Sequence, residues 1–259
     1  MKLKKLEASD TSHEIICESF LISEIASFEE IKTLLNEYKE KYKDSSILIS
    51  LDDLGQAQYT SMHSTLSYDL DDTDGYDLSG LDTEAYEDGE HLGYLSTKSE
   101  FFIREENFKK QIQTIKFIDA CKKGLTIDNN EMTLLEKINK EPLIFLDKAI
   151  IVNIVPVKET SLAISAFPNG YFSCDLNPFE NYALSEYLRK NYGYELFGIG
   201  ASLIAYKRTY VLDKNKLKSL GIDLARLYNR EDDEAFIKRF ISLLKEQEYL
   251  FLKYIDYFE

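Results

Sequence analysis

Tryptophan is absent from this chain, and only four prolines and eleven glycines interrupt its 259 residues. So few breakers exclude long Pro/Gly linkers and leave room for long regular elements. Cysteine is scarce and odd in number. Cys17, Cys121 and Cys174 lie far apart, which excludes a disulfide framework and reads as reduced thiols of a cytoplasmic protein. No segment approaches the roughly 20 apolar residues of a membrane span. The charged start, Met1-Lys-Leu-Lys-Lys5, is followed by no signal-peptide core. The three histidines, His13, His63 and His91, all fall in the first 91 residues. No assembled catalytic motif is visible, and no cofactor is expected.

The most local absence is that of positive charge. Lys43 is followed next by Lys98, and thirteen acids stand between them: Asp44, Asp52, Asp53, Asp69, Asp71, Asp72, Asp74, Asp77, Asp82, Glu84, Glu87, Asp88 and Glu90. They account for most of a formal net charge of -15, so the rest of the chain is close to neutral. A concentrated field steers partners of opposite sign, whereas diffuse charge mainly aids solubility. The overall negative charge argues against direct nucleic-acid binding, because phosphate contacts need Lys and Arg.

What is present suits a packed globular protein: 44% hydrophobic and 13% aromatic residues, the aromatics all Tyr and Phe. The period of the apolar residues predicts mixed α/β structure, a two- or three-layer arrangement of a mixed sheet with flanking helices. Residues 13–23 read as a strand. Ser27 and Glu30 form a capping-box pattern that opens a helix to about Lys43, and 46–51 is a strand. Residues 58–68 alternate enough to suggest a strand. Residues 69–90, with Gly75, Gly80 and Gly89, read as a long loop or irregular excursion. A short strand at 101–104, one helix over 105–123, a helix near 130–139 and one or two buried strands in 143–155 come next. A short helix at 160–167 and an Asn177-capped helix to Tyr192 precede strands at 194–199 and 202–210. Helices near 214–228 and 231–248 and a closing strand in 249–258 complete the chain. Two subdomains are expected, 1–146 with an acidic excursion at 52–97, and 147–259.

Chemical candidates are few. Cys174 would need a base to act as a nucleophile, and no histidine lies in its half of the chain; it reads as a buried core residue. Asp175, Asn177, Glu180 and Asn181 could hold a cation, but at a helix start they read more simply as caps. Aligning Gly75 at the sixth position of a calcium loop puts Leu70 at the first and Leu81 at the twelfth, so that motif fails and no metal is expected. His13-Glu-Ile-Ile-Cys17 lacks the second histidine of a zinc helix. Gly198-Ile-Gly200 is a strand-to-strand turn, not a dinucleotide loop.

Residues 151–208 carry a Val-rich strand ending in Pro156, a turn at Gly170-Tyr171, and Cys174 four residues after that glycine. A helix then closes in Tyr192-Gly193-Tyr194-Glu195 and leads to another strand. In this order the features resemble the bacterial domain-of-unknown-function family 4253, over about 150–258. Members of that family often carry Trp at the position of Tyr171 and Pro after the cysteine; here Tyr171 and Asp175 stand instead. The resemblance marks Gly170, Tyr171, Cys174, Asp175, Asn177, Glu180, Tyr192 and Gly193 as motif residues. It implies no established activity, and it links the chain by association with toxin-immunity genes.

The leading expectation is a cytoplasmic, non-enzymatic binding protein, an immunity protein that neutralises a bacterial toxin through an acidic surface. The partner would be a basic protein, met by Asp69, Asp71, Asp72, Asp74, Asp77, Asp82 and Glu84, with Tyr76 and Tyr86 as aromatic anchors. A carboxylate- or metal-dependent hydrolase and a DNA-mimicking decoy are the alternatives. The sequence does not set the oligomeric state.

Overall fold

The computed structural model describes residues 1–7 and 15–258; His13 and the start of the strand expected at 13–23 lie outside them. The chain is mixed α/β. Strands β1 (Lys2–Lys5) and β2 (Glu18–Ser23) precede helix α1 (Phe28–Lys41), strand β3 (Ser46–Ile49) and helix α2 (Leu54–Ser67). A small hairpin of β4 (Tyr86–Glu87) and β5 (Glu90–His91) leads to α3 (Phe101–Ile112), α4 (Phe117–Lys122) and α5 (Asn129–Lys140). Strand β6 (Ala149–Val155), helix α6 (Pro178–Tyr192), β7 (Tyr194–Ile199) and β8 (Leu203–Arg208) follow. The chain ends with α7 (Lys214–Leu227), α8 (Glu234–Glu246) and β9 (Tyr249–Lys253).

Among the described residues, seven strands share one sheet in the order β1-β2-β6-β3-β7-β8-β9. All neighbours are antiparallel except β3 and β7, which run parallel with Ile49 opposite Gly198. Alternation divides the apolar residues between the two faces, as a strand's period of two requires. Ile47, Ile49, Phe251 and Ala205 join Leu34, Leu35 and Tyr38 of α1 in one core. Leu48, Leu252, Ile204 and Tyr206 join residues of α3, α4, α6, α7 and α8 in the other. The stripe Phe236, Phe240, Leu243 and Leu244 on α8 is buried as its 3.6 period predicts. Each such side chain contributes about 1.5–3 kcal/mol by leaving water.

The expected boundary at 146/147 runs through this sheet. β6 lies between β2 and β3, and β7 pairs with β3, so both expected subdomains build the same sheet and both cores. Two side chains tie the ends of strands. Asp52, just past β3, accepts hydrogen bonds from the Ser202 amide at 2.9 Å, the Leu203 amide at 3.1 Å and the Ser202 hydroxyl, which pins the β7–β8 turn. A Cβ on Gly200 would lie 2.1 Å from the Asp52 Oδ1, so only glycine admits this approach. Burial raises the Asp52 carboxyl above its usual range despite these donors. On the β9 edge, Asn139 of α5 donates to the Phe251 carbonyl at 2.9 Å and accepts from the Phe251 amide at 2.8 Å, standing in for a neighbouring strand.

Several local expectations are corrected. Residues 58–67 belong to helix α2, with Tyr68 as its C-cap, and not to a strand. Its buried Ala57, Thr60, Ser61, Ser64 and Thr65 are small and mostly polar, so the inward face carries no strong apolar signal. Phe101–Arg104 is the first turn of α3, entered through a capping box of Thr97 and Glu100. The helix expected over 105–123 breaks after Ile112. A new one starts where the Asp119 carboxylate accepts from the Lys116 amide at 3.0 Å. At α1, Glu30 reaches back to the Ala26 amide at 2.9 Å, while the Ser27 hydroxyl makes no capping bond. Among the described residues, no helix is long and apolar enough to cross a membrane.

Candidate functional site

The acidic excursion begins one residue beyond the C-cap of α2 and is held against α3. Leu70 is fully buried. Asp71 turns inward and grips the buried Arg104 with both oxygens, Nε to Oδ1 at 2.5 Å. Asn107 Nδ2 donates to the carbonyls of Leu70 at 3.1 Å and Asp72 at 2.7 Å, and its Oδ1 accepts from the Tyr76 hydroxyl at 2.8 Å. The Tyr76 ring meets Phe102 edge-on, with the Lys110 ammonium 5.0 Å from its centre. The Tyr86 hydroxyl donates to the Leu78 carbonyl. Asp88 and Gly89, both at positive φ, turn the β4–β5 hairpin.

The excursion closes on Glu100. This buried carboxylate accepts from the amides of Ser96 at 2.8 Å and Thr97 at 2.7 Å and from the Thr97 hydroxyl at 2.9 Å. Its other oxygen faces His91 Nε2 at 2.7 Å. The Gly93 amide donates to His91 Nδ1, so Nε2 carries the proton toward Glu100. Burial raises this carboxyl, and the surrounding donors more than offset it, leaving the pKa below the ordinary glutamate value.

This arrangement sorts the acids expected at an interface. Asp69, Asp72, Asp74, Asp77, Asp82 and Glu84 are exposed. The Asp77 carboxyl is held low by the Ser79 amide, so it is ionised at neutral pH. Asp71 is not displayed, because its charge is spent on Arg104. Tyr76 and Tyr86 are half-buried and bonded inward, so they fasten the excursion to its own body and are not free anchors.

Free aromatic surface lies instead on α2. Its fourteen residues contain no Asp, Glu, Lys or Arg. The helix starts at Asp53, whose side chain accepts from the Gln56 amide at 3.0 Å, while the Leu54 amide reaches Asp147 at 2.8 Å. Its outer face presents Tyr59 at 46%, Met62 at 40% and Leu66 at 66% exposure. The His63 ring lies tilted between Tyr59, 4.2 Å away, and Tyr171, 4.9 Å away; Phe172 lies 5.5 Å beyond. Tyr171 and Phe172 are both exposed. Four rings thus run as one row from helix to loop.

The loop that carries Tyr171 is fixed from below. Gly170 has φ of 116°, and a Cβ there would sit 2.0 Å from the Leu176 carbonyl oxygen. The Thr60 hydroxyl bonds to the Asn169 side chain. Asn181 Nδ2 holds the carbonyls of Asn169 at 3.2 Å and Leu176 at 3.1 Å. These bonds tie helix α2, the 169–172 loop and α6 together.

The remaining motif residues are placed as follows. Asn177 and Glu180 form a reciprocal cap on α6, and Gly193 ends that helix at φ of 67°. Asp175 is buried, accepts from the Asp256 amide at 3.1 Å, and is raised above its usual range chiefly by burial. The Tyr192 hydroxyl donates to Asp223 at 2.5 Å, inside the helical layer. Cys174, expected in the core, is exposed, because its loop stands outside the α6 cap. Partial burial and the neighbouring Asp175 push its thiol up, which disfavours the thiolate. Among the described residues, no group of three or more His, Cys, Asp or Glu could hold a metal ion.

Sequence reasoning singled out Tyr171 but missed Tyr59, Met62, Leu66 and Phe172. The signal was the stretch 54–67, free of Asp, Glu, Lys and Arg, with apolar residues three or four apart. Comparison with protein-family models, curated proteins and solved structures finds no match for this chain.

Proposed function

We propose that this chain is a non-enzymatic binding protein that docks a basic protein partner on the outer face of α2 and the 170–172 loop. One juxtaposition supports the reading: α2, which carries exposed Tyr59, Met62 and Leu66 and packs its His63 ring against Tyr171, leads at its C-terminal end straight into exposed Asp69 and Asp72. Contiguous exposed apolar surface marks interaction sites. Binding energy concentrates in a few aromatic and aliphatic anchors, here Tyr59, Leu66, Tyr171 and Phe172. Asp69, Asp72, Asp74 and Asp77 would form the charged rim that speeds encounter with a cationic surface. Neutralisation of a toxin is the form this binding takes in our reading, following the resemblance to family 4253. The three unpaired thiols fit a reducing cytoplasm. Asp175 and Glu180, the carboxylates a hydrolase would use, are both occupied by backbone amides, which weakens the enzymatic alternative.

The test is affinity capture from the source cell with the wild-type chain, followed by binding kinetics on the captured partner. Leu66→Glu with Tyr171→Ser should speed dissociation by at least about 30-fold, the equivalent of one hot spot of roughly 2 kcal/mol. Replacing Asp69, Asp72, Asp74 and Asp77 with Asn should slow association about tenfold in dilute buffer. At about 1 M salt, where the screening length is near 3 Å, that difference should vanish. A partner whose kinetics ignore both sets of changes would refute the docking face.

A further inference from the structure

A cavity of about 340 Å³ opens at the other end of β3 from α2, between the last turns of α1 and the sheet. Its origin is the way the parallel pair meets. β3 and β7 register only at Ile49 and Gly198. Toward their N-terminal ends the strands part, and Ser46, Ile47, Leu196 and Phe197 line the gap. A bulge between Leu196 and Gly198 shifts β7 relative to β8 at the same level. The apolar lining comes from Leu35, Ile47 and Phe197, which belong to the α1-side core, together with Leu196 of the neighbouring strand position.

The rim has the opposite charge to the rest of the molecule. Lys39, Lys43, Lys158 and Lys207 line it against only Glu40 and Glu195, in a chain of net charge -15. Lys39 is held by Glu195 at 2.5 Å and Lys158 by the exposed Asp44 at 3.1 Å. Lys207, about two-thirds covered, donates to Asn36 Oδ1 at 2.9 Å and lies 3.8 Å from the half-exposed Glu248 carboxylate. Lys43 has no ion-pair partner among the described residues. Thr160 also lines the cavity, and its buried hydroxyl has no hydrogen-bond partner among the described residues. An apolar floor, a few polar groups and this volume, within the range of about 300–1,000 Å³ seen for small-molecule sites, are the features of a ligand pocket.

We infer that this cavity binds a small organic anion, with its apolar body on Phe197 and Ile47 and its anionic head among Lys39, Lys43 and Lys207. The inference is independent of the docking face, which lies past the opposite end of the same strand. Carboxylates and phosphate monoesters share the required chemistry, and the experiment separates them.

Naphthalene-1-carboxylate, 1-naphthyl phosphate, 1-naphthylmethylammonium and inorganic phosphate are titrated into the full chain by calorimetry. Saturable one-to-one binding of either naphthyl anion is expected, and the tighter one names the head group. Lys207→Met and Lys39→Met should each weaken it about tenfold, as expected for loss of a charge-assisted hydrogen bond. Glu195→Gln releases Lys39 and should tighten binding severalfold, an effect of opposite sign that a damaged fold cannot mimic. Any of four results would overturn the inference: no saturation by either anion at millimolar concentration, equal binding of the ammonium, equal binding of inorganic phosphate, or affinities unmoved by all three substitutions.

Discussion

Glu100 holds the acidic excursion closed, and its removal should be felt well beyond one side chain. Its carboxylate gathers two backbone amides, a hydroxyl and an imidazole N–H, all within 2.9 Å. Hydrogen bonds to a buried charge contribute about 1.5–3 kcal/mol each, and a buried donor left without an acceptor costs about 1–3 kcal/mol. Water entering the space recovers much of this, so Glu100→Ala should cost about 3–5 kcal/mol, well below the sum of four such bonds. Glu100→Gln should cost less, about 2 kcal/mol. Its oxygen can still serve Ser96 and Thr97, but its NH₂ then faces the His91 Nε2 proton, because Gly93 fixes the tautomer. Acidity provides a second handle. The Glu100 pKa is lowered in the folded chain, so its stabilisation is fully present above the unfolded glutamate value of 4.5 and fades as pH falls through the lower folded value. Urea unfolding from pH 7 to 3 should show this loss in the wild type and a flatter profile in Glu100→Gln. Amide exchange should show lost protection at Ser96 and Thr97 in Glu100→Ala. A cost below about 1 kcal/mol, or amides that stay protected, would refute this account of the excursion.

Two further outcomes are expected. Gly170→Ala should destabilise the chain by about 3 kcal/mol or more in chemical denaturation, because the added carbon meets backbone at 2.0 Å and the residue sits at positive φ. An unchanged midpoint would show that the 169–172 loop is not fixed as described. Cys174 should be the thiol first alkylated by iodoacetamide in the native state, since Cys17 and Cys121 are buried. Its raised pKa makes that reaction slow at pH 7.5 and faster above pH 9, and fast labelling at neutral pH would contradict it.

The elements with strong periodicity or complete caps were legible in the sequence. Asn177, Pro178 and Glu180 announce α6, and Gly193 marks its end at the position that needs a left-handed residue. The stripe of α8 and the runs of β7 and β8 were equally plain. Helix α2 was not, because its inward face is built from Thr60, Ser61, Ser64 and Thr65, which pack closely without apolar bulk. The same chemistry hid the site: a helix whose rings point to solvent has no core-directed period to detect. Asp71 and Tyr76 were misassigned because composition reports charge and aromaticity but not direction. Only the position of Arg104 and Asn107 on α3 decides that both turn inward. The cationic cavity was invisible for a related reason, since its four lysines are drawn from α1, the turn after it, the segment after β6, and β8.

The position of β6 governs how the molecule can be dissected. This strand takes hydrogen bonds from β2 on one flank and β3 on the other, both made from the first fifty residues. A fragment limited to residues 150–258 would release it with two bare edges, an invitation to pair with other chains. During synthesis the early strands β2 and β3 have nothing to join them until residue 155 has emerged, so closure of the sheet waits on long-range contacts, which are slow to form. Gene fusions, truncations and reporters should therefore treat the whole chain as the smallest unit that folds.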